Sequence, residues 1–295
     1  MTRNAFPLFG GGAHDPAMHA LTLFRTTRIL RKPRPNWRKA ALRWASNHHI
    51  DELLAKKKYD EAIEILEERL QHDPGDFWVR LQFGDALVSK GQKDRAAKVF
   101  IGLIEQLASD GKLPKAIAVL KKLKRMEPGQ SRVEERLLDL WHEEAEDPAK
   151  VLSFRSPAAR SPLFSDFSRE ELLEVVRGLE LRSYDAGAIL VSEGEPGDSL
   201  FILTHGTVRT FVKTPTGRNV EVRRMEEGEF FGEVSLLSGG TRSATVTAAT
   251  PCELLELDRQ TLDDISKRHP RVRTLVEEFY AQRAGSASEI EARSS

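Results

Sequence analysis

The strongest constraint on the fold is a helical segment that recurs along the first half of the chain. Three segments align on an alanine: YDEAIEIL at Ala62, KDRAAKVF at Ala96 and LPKAIAVL at Ala116. A large apolar residue follows each alanine by four positions, which places both side chains on one face of a helix. Ala62 and Ala96 are 34 residues apart. A period of this length predicts antiparallel helix pairs that bury their apolar faces by stacking on one another.

Prolines and a glycine stand where such pairs need them. Pro74 and Pro128 each follow an aligned alanine by twelve positions, where a proline ends the second helix of a pair. Gly84 lies twelve positions before an aligned alanine, where a small residue lets two helices approach closely. The segment resembles a short tetratricopeptide array. Because Ala96 and Ala116 are only 20 residues apart, we expect the helix at about 93–110 to belong to two successive pairs.

The array needs a capping helix, and residues 130–141, QSRVEERLLDLW, can supply it. Its apolar face carries Val133, Leu137, Leu138 and Trp141. A stacked array presents a concave groove suited to an extended peptide or helix, so we expect a protein partner. Two alternatives stay open: the helices could pack against a second domain, or they could pair two copies of the chain as a homodimer.

Beyond residue 167 the pattern changes. Ser168 and Glu171 form a capping box that starts a helix over LLEVVRGL. Short segments of alternating polarity with turn residues between them then predict an antiparallel jelly roll of two sheets. Helical spacing returns in TLDDISKRH and, after Pro270, in RVRTLVEEFYAQRAG. The predicted strands are Leu181–Tyr184, Ala188–Val191, Ser199–His205, Thr207–Thr214, Asn219–Met225, Ser243–Ala249 and Cys252–Asp258.

Residues 231–246, FGEVSLLSGGTRSATV, combine the residue types that hold a phosphorylated sugar. Gly232 lets the backbone approach a ligand, and the amides after it can begin a helical turn that attracts an anion. Arg242 supplies a permanently charged fork that can grip a phosphate with two parallel hydrogen bonds. Glu233 would repel that phosphate, but its carboxylate suits a sugar hydroxyl. A ligand with one phosphate and one ribose satisfies both side chains.

This segment resembles the phosphate-binding cassette of the cyclic nucleotide-binding domain, and the resemblance extends over about residues 160–283. It implies that Glu233 binds the ribose 2′-hydroxyl and that Arg242 binds the exocyclic phosphate oxygens. The backbone from Gly232 to Val234 and at Ser243 would supply further donors. Thr241 departs from the family, in which a proline often precedes the arginine. Glycines at family turn positions are Gly187, Gly194, Gly197 and Gly206.

The resemblance also implies that the two C-terminal helices form a hinge and a lid over the nucleotide. Candidate contacts with the base are Met225, Phe279 and Tyr280, although an aromatic residue at helical spacing more often lies in a core. Ser243 is compatible with cGMP and also occurs in bacterial domains that bind cAMP, and we favour cAMP slightly. No cofactor or metal is expected besides this ligand.

These patterns predict a multi-domain α and β protein of 295 residues. The expected parts are a basic disordered extension over 1–42, tetratricopeptide-like repeats over 43–145, a linker over 146–161, a cyclic nucleotide-binding domain over 162–283 and a disordered tail over 284–295. The first 45 residues hold nine Lys or Arg and one acidic residue, Asp15. Such a stretch can bind nucleic-acid or lipid phosphates, but we favour a solvated, disordered extension, and a true start at Met18 would give the same appearance.

Several classes of protein are disfavoured. We find no phosphate-loop lysine motif, no HExxH pair at His142 and no glycine-flanked nucleophilic serine, so we do not expect an enzyme. No helix-turn-helix follows the predicted lid, so we do not expect a DNA-binding domain. No apolar run approaches the ~18 residues of a membrane helix, and no secretory signal is evident. The single cysteine, Cys252, suits a core strand in a reducing compartment, and the cytoplasm is expected.

The sequence thus predicts a non-enzymatic cyclic nucleotide sensor that couples ligand binding to protein interaction through its helical repeats. The C-terminal helix pair would be the element that shifts when nucleotide binds. The alternative is a scaffold whose nucleotide domain is degenerate and empty.

Overall fold

The computed structural model describes residues 49–129, 131–146, 164, 166–278 and 280–281. These residues form two compact units, one that ends at Gly91 and one that begins at Gln92. The predicted extension and tail, and all of the predicted linker but its first residue, lie outside the described residues. The domain boundaries inferred from the sequence stay predictions.

The first unit is helical. Residues 49–55 are helical, and α1 (Tyr59–His72) and α2 (Phe77–Ser89) follow and pack on each other. The aligned Ala62 is fully buried on α1, and Gly84 is buried on α2. Pro74 lies in the turn, where Asp76 accepts hydrogen bonds from the amides of Trp78 and Val79 and so caps α2.

The second unit begins with three helices, α3 (Lys93–Ser109), α4 (Leu113–Met126) and α5 (Ser131–Glu146). The aligned alanines, Ala96 on α3 and Ala116 on α4, are fully buried. The predicted capping helix is observed as α5, which packs against α3 and α4. Leu137, Leu138 and Trp141 are buried on it, as their spacing predicts.

A jelly roll follows. The helix α6 (Arg169–Gly178) begins with the predicted capping box, in which Ser168 and Glu171 exchange both hydrogen bonds. Within the described residues, eight antiparallel strands then form two four-stranded sheets, with orders β1-β8-β3-β6 and β2-β7-β4-β5. The strands are β1 (Glu180–Tyr184), β2 (Ile189–Val191), β3 (Ser199–His205), β4 (Val208–Lys213), β5 (Asn219–Met225), β6 (Phe230–Phe231), β7 (Thr245–Ala248) and β8 (Cys252–Asp258).

The predicted mixed α and β fold with a jelly roll is therefore confirmed. The bounds of β3, β5 and β8 agree with the prediction, and the other predicted strands differ by one or two residues at an end. Only β6 was missed, because two adjacent phenylalanines carry no alternation of polarity. The core between the sheets holds Val191, Phe201, Leu203, Val208, Met225, Phe231, Val246, Ala248, Cys252 and Leu254.

The strand β3 is buried on both faces. Phe201 and Leu203 point into the core between the sheets, so alternation places Leu200 and Ile202 on the opposite face. The helix α4 packs against β1, β3 and β8. Because α4 lies between this sheet and the helices α3 and α5, it buries five consecutive residues, from Ala116 to Leu120.

Ion pairs and hydrogen bonds line the edge of this contact. Lys122 on α4 pairs with Glu253 on β8, with 2.7 Å between Nζ and the carboxylate oxygen. Lys115 pairs with Glu227, which also bonds to His205 at the end of β3. Packing against the strand domain, one of the open alternatives, is thus observed for α4.

The described residues after β8 are largely helical. Asp258 accepts a hydrogen bond from the amide of Thr261 and caps α8 (Arg259–Arg268), which packs on α6. Residues 270–278 form a second helical segment, as predicted. In the described residues, no helix has the length and apolar character needed to span a bilayer.

Candidate ligand-binding site

The cassette forms a sharp turn between β6 and a short helix, α7 (Glu233–Ser238). Gly232, the residue before α7, has φ of 90°, and Gly239, the residue after it, has φ of 75°. Both values lie in the left-handed region that favours glycine. A Cβ at Gly232 would come within 2.5 Å of the carbonyl oxygen of Ser199, so glycine is also required for close packing.

Arg242 is the best-held side chain of the site. It is only 7% exposed, and its Cζ lies 5.7 Å from the ring centroid of Phe201. Its Nη1 donates to the carbonyl oxygens of Ser199 at 2.6 Å and Gly232 at 3.2 Å, and to Ser235 Oγ at 2.8 Å. Its Nη2 donates to Ser199 Oγ at 2.9 Å. These contacts hold the guanidinium at the base of the cassette.

The backbone of Arg242 is held by the loop before β3. Its amide donates to the carbonyl oxygen of Glu195 at 2.8 Å, and its own carbonyl accepts from the amide of Gly194 at 2.9 Å. A Cβ at Gly197 would lie 2.3 Å from Ser235 Oγ and 2.7 Å from Arg242 Nε. Gly194 has positive φ, as a turn glycine should, whereas Gly197 is needed because the cassette packs directly against it.

Burial and nearby carboxylates have opposite effects on the charge of Arg242. Burial lowers the pKa of Arg242 from its usual value, and the carboxylates of Asp198, Glu256 and Glu233 act in the opposite direction. An arginine remains charged at neutral pH even with such a shift. The site therefore holds a buried, permanent cation within electrostatic reach of Glu233.

A cavity of about 200 Å³ lies beside the cassette, and both charged side chains line it. Its lining combines polar side chains, among them Glu233, Arg242 and Ser243, with apolar ones. Thr210 also lines it, and its hydroxyl oxygen is buried with no hydrogen-bond partner in the described part of the chain. The residues that line the cavity are Val191, Thr210, Arg223, Met225, Phe230, Phe231, Gly232, Glu233, Val234, Ser235, Arg242, Ser243, Ala244 and Val246.

The five residues predicted from the cassette, and the predicted base contact Met225, all lie at this cavity. Tyr280 is helical and is not among the described residues that line it. Phe279 lies outside the described residues. Contact between these aromatic side chains and a base stays a prediction.

The sequence reasoning missed Ser199 and Ser235 as partners of Arg242. Ser199 lies 43 residues earlier in the chain and reaches the arginine only because β3 runs beside the cassette. Ser235 lies within the cassette, but a small polar residue on a short helix carries no distinct signal. In the described ranges, no group of three or more His, Cys, Asp or Glu residues is placed to hold a metal ion.

Comparison with known families agrees with this geometry. Residues 181–269 match the family described as the cyclic nucleotide-binding domain, and residues 53–110 match the tetratricopeptide repeat. The chain therefore contains a cyclic nucleotide-binding domain preceded by a tetratricopeptide repeat segment. Both resemblances inferred from the sequence are confirmed.

Individual relatives match less than half of the chain. A cyclic nucleotide-gated potassium channel of Mesorhizobium japonicum is 35% identical over 130 residues, which are 44% of this chain and 35% of the channel. Isozyme 1 of the cGMP-dependent protein kinase of Drosophila melanogaster is 39% identical over 101 residues, 33% of this chain and 13% of the kinase. The chain thus spans about a third or less of the length of these relatives.

Among solved structures, the catabolite activator protein of Thermus thermophilus aligns with 31% identity and a TM-score of 0.41. The alignment covers 45% of this chain and 63% of that protein.

Proposed function

We propose that this protein is a non-enzymatic sensor of cAMP or cGMP that transmits ligand binding to a protein partner through its helical repeats. One observation carries the proposal: a buried arginine and a carboxylate converge on one cavity, beside a glycine whose backbone packs too closely for a side chain. Arg242 would bind the cyclic phosphate, and Glu233 would bind the ribose 2′-hydroxyl.

The rest of the cavity suits a purine base. Its lining includes the apolar side chains of Val191, Met225 and Val246, against which a flat ring can pack. Relatives include a cyclic nucleotide-gated channel and a cGMP-dependent kinase, which supports a cyclic nucleotide as the ligand class. We keep a slight preference for cAMP, since Ser243 is compatible with either base.

The effect of ligand binding would be transmitted through two contacts of the jelly roll with neighbouring helices. On one side, Arg259 at the start of α8 donates to the carbonyl oxygen of Ser235 in α7 at 2.6 Å. On the other side, α4 packs on the sheet that contains β3 and pairs with Glu227, three residues before β6. A ligand that pulls the cassette inward would therefore act on both helices. The proposal also includes a protein partner at the repeats and a homodimer. It further includes a cytoplasmic location, which suits the single buried thiol of Cys252.

Isothermal titration calorimetry of the full chain with cAMP, cGMP and 5′-AMP tests the ligand. We expect saturable one-to-one binding of a cyclic nucleotide, and binding of 5′-AMP that is weaker by roughly tenfold or more because its phosphate is not held in the ring. Absence of heat with all three nucleotides would favour the alternative, a scaffold whose nucleotide domain is empty.

Hydrogen–deuterium exchange with and without cAMP tests the transmission. We expect nucleotide to slow amide exchange in the cassette and to change it in residues 259–278, because a ligand can shift only an element that it stabilises differently. An effect confined to the cassette would contradict the role of the C-terminal helices while leaving the binding site intact.

A further inference from the structure

The network around Arg242 points to a second residue that governs binding of the phosphate. Five N–H groups are available on an arginine side chain. Three acceptors converge on Nη1 and one on Nη2, whereas Nε has no acceptor in the described residues. The edge formed by Nε and Nη2 is therefore the one left for a bidentate phosphate.

Ser235 is the side chain that fixes this orientation from within the cassette. Its hydroxyl accepts from Nη1 of Arg242 at 2.8 Å and donates to the carbonyl oxygen of Gly232 at 3.1 Å. The residue is 2% exposed, so water cannot take the place of these bonds. Because its one hydroxyl proton is donated to Gly232, the side chain of Ser235 can hold the guanidinium but cannot donate a hydrogen bond to a phosphate oxygen.

The position of Ser235 is itself fixed from two sides. Gly197 packs directly against its Cβ and Oγ, since a Cβ on that glycine would come within 2.5 Å of both atoms. The carbonyl oxygen of Ser235 accepts from Nη2 of Arg259 on α8 at 2.6 Å. The backbone amide of Arg259 in turn donates to the carbonyl oxygen of Asp198 at 2.6 Å. A displacement of Arg242 would thus reach Arg259, the first residue of α8, through Ser235.

We propose that Ser235 is a positioning residue for the phosphate-binding arginine: its hydroxyl orients the Arg242 guanidinium, and its backbone links that orientation to α8. The inference rests on the proposed function, since it concerns the same cavity. Ser199 has a related part from outside the cassette, since its hydroxyl accepts from Nη2 and its main-chain oxygen accepts from Nη1.

The first test is calorimetry of Ser235→Ala with cAMP and cGMP, with Ser238→Ala as the matched control on the same helix. Ser238 is exposed, and its hydroxyl accepts from the amide of Gly240 rather than from Arg242. We expect Ser235→Ala to raise Kd by about tenfold for both nucleotides, which share the phosphate. Ser238→Ala should bind as the wild type does.

A spectroscopic readout separates positioning from a general loss of stability. The Nη–H resonances of Arg242, assigned by their absence from Arg242→Lys, should exchange slowly with solvent in the ligand-free protein because they donate to protein acceptors, and roughly tenfold faster in Ser235→Ala. Far-UV circular dichroism of the variant should match the wild type.

The outcomes are distinct. If wild-type protein binds neither nucleotide, the proposed function fails. If wild type binds but Ser235→Ala has the Kd of Ser238→Ala, or the exchange rate of the Arg242 Nη–H groups is unchanged, only the role of Ser235 fails.

Discussion

The two sheets of the jelly roll differ in how much of each meets solvent. In the sheet β1-β8-β3-β6, every residue of β3 from Ser199 to Thr204 is buried, since one face meets the core and α4 covers the other. In the sheet β2-β7-β4-β5, the edge strand β5 is exposed along its length except at Met225, and Val222 is 58% exposed. The difference shows that α4 supports one sheet, while in the described residues the edge strand of the other sheet is exposed.

The candidate ligand cavity is lined by residues of both sheets. Its walls include Phe230 and Phe231 from the supported sheet, and Thr210 and Met225 from the exposed one. We therefore expect substitutions in the sheet that α4 covers to lower the free energy of unfolding. Substitutions of Glu233 or Arg242 should instead weaken nucleotide binding.

The largest effect is expected at Arg242. Arg242→Glu should weaken binding of cAMP and cGMP by about a thousandfold or more, because it sets a carboxylate against the phosphate. Arg242→Lys, which keeps the charge but loses the fork, should cost about tenfold or more. Calorimetry measures both, and circular dichroism checks folding. Arg224→Glu on β5 is the matched control, since Arg224 is exposed and lies outside the cavity lining. Micromolar binding by Arg242→Glu would mean that the pocket is misassigned.

The comparison between the sheets is tested next by truncating one residue in each. Ile202 is 1% exposed on the supported sheet, so Ile202→Ala should lower the free energy of unfolding by about 2–5 kcal/mol. Val222→Ala, on the exposed strand, should change it by no more than about 0.5 kcal/mol. Urea denaturation followed by circular dichroism measures both. Equal losses would contradict the burial of β3 on two faces.

Alanine substitutions at two glycines test the close packing at the cassette. Gly232 and Gly217 both have positive φ, but a Cβ at Gly217 would meet no atom within 4 Å. Gly217→Ala should therefore cost about 1 kcal/mol of stability and leave nucleotide binding unchanged. Gly232→Ala should cost about 2–3 kcal/mol and weaken binding by tenfold or more, since it displaces Ser199 or Arg242. Similar binding by the two variants would show that only backbone strain matters.

The smallest effect concerns pH. Burial alone raises the pKa of Glu227, but hydrogen bonds from His205 and Lys115 outweigh it and lower the pKa from 4.5 to about 2. Because the folded-state pKa is depressed, the stabilisation is complete above the unfolded value and is lost as pH falls from about 5 towards 2.

Since Glu227 is partly exposed, we expect solvent to reduce this contribution to about 1 kcal/mol. Glu227→Gln should lose about that much at pH 7 and show a flatter dependence of unfolding free energy on pH in the acid range. Urea denaturation at several pH values measures it, with Glu226→Gln as the neighbouring control. An identical pH dependence in both variants would show that the contact of α4 with Glu227 contributes nothing.

Sequence patterns predicted those features that depend on local spacing. The alanine-centred helices, the capping box at Ser168 and seven of the eight strands follow from periods of 3.6 and 2 and from turn residues. The cassette glycines, Glu233 and Arg242 were found because their residue types and separations are themselves the signal.

What was missed depends on contacts between distant segments. The hydroxyl of Ser199 meets Arg242 only in the folded chain, so no local spacing could reveal it. The place of α4 against the sheet had a usable signal, however: Ala116 to Leu120 are apolar without interruption, which is typical of a helix covered on more than one side. The run SLFIL in β3 carries the same information for a strand.

The helix α4 also determines how the protein can be divided. A fragment that starts at α6 would contain the whole jelly roll and cassette, yet it would leave Leu200 and Ile202 facing water where α4 had covered them. Such a bare apolar strip favours self-association, so the nucleotide domain of this protein should be prepared together with the helices that precede it.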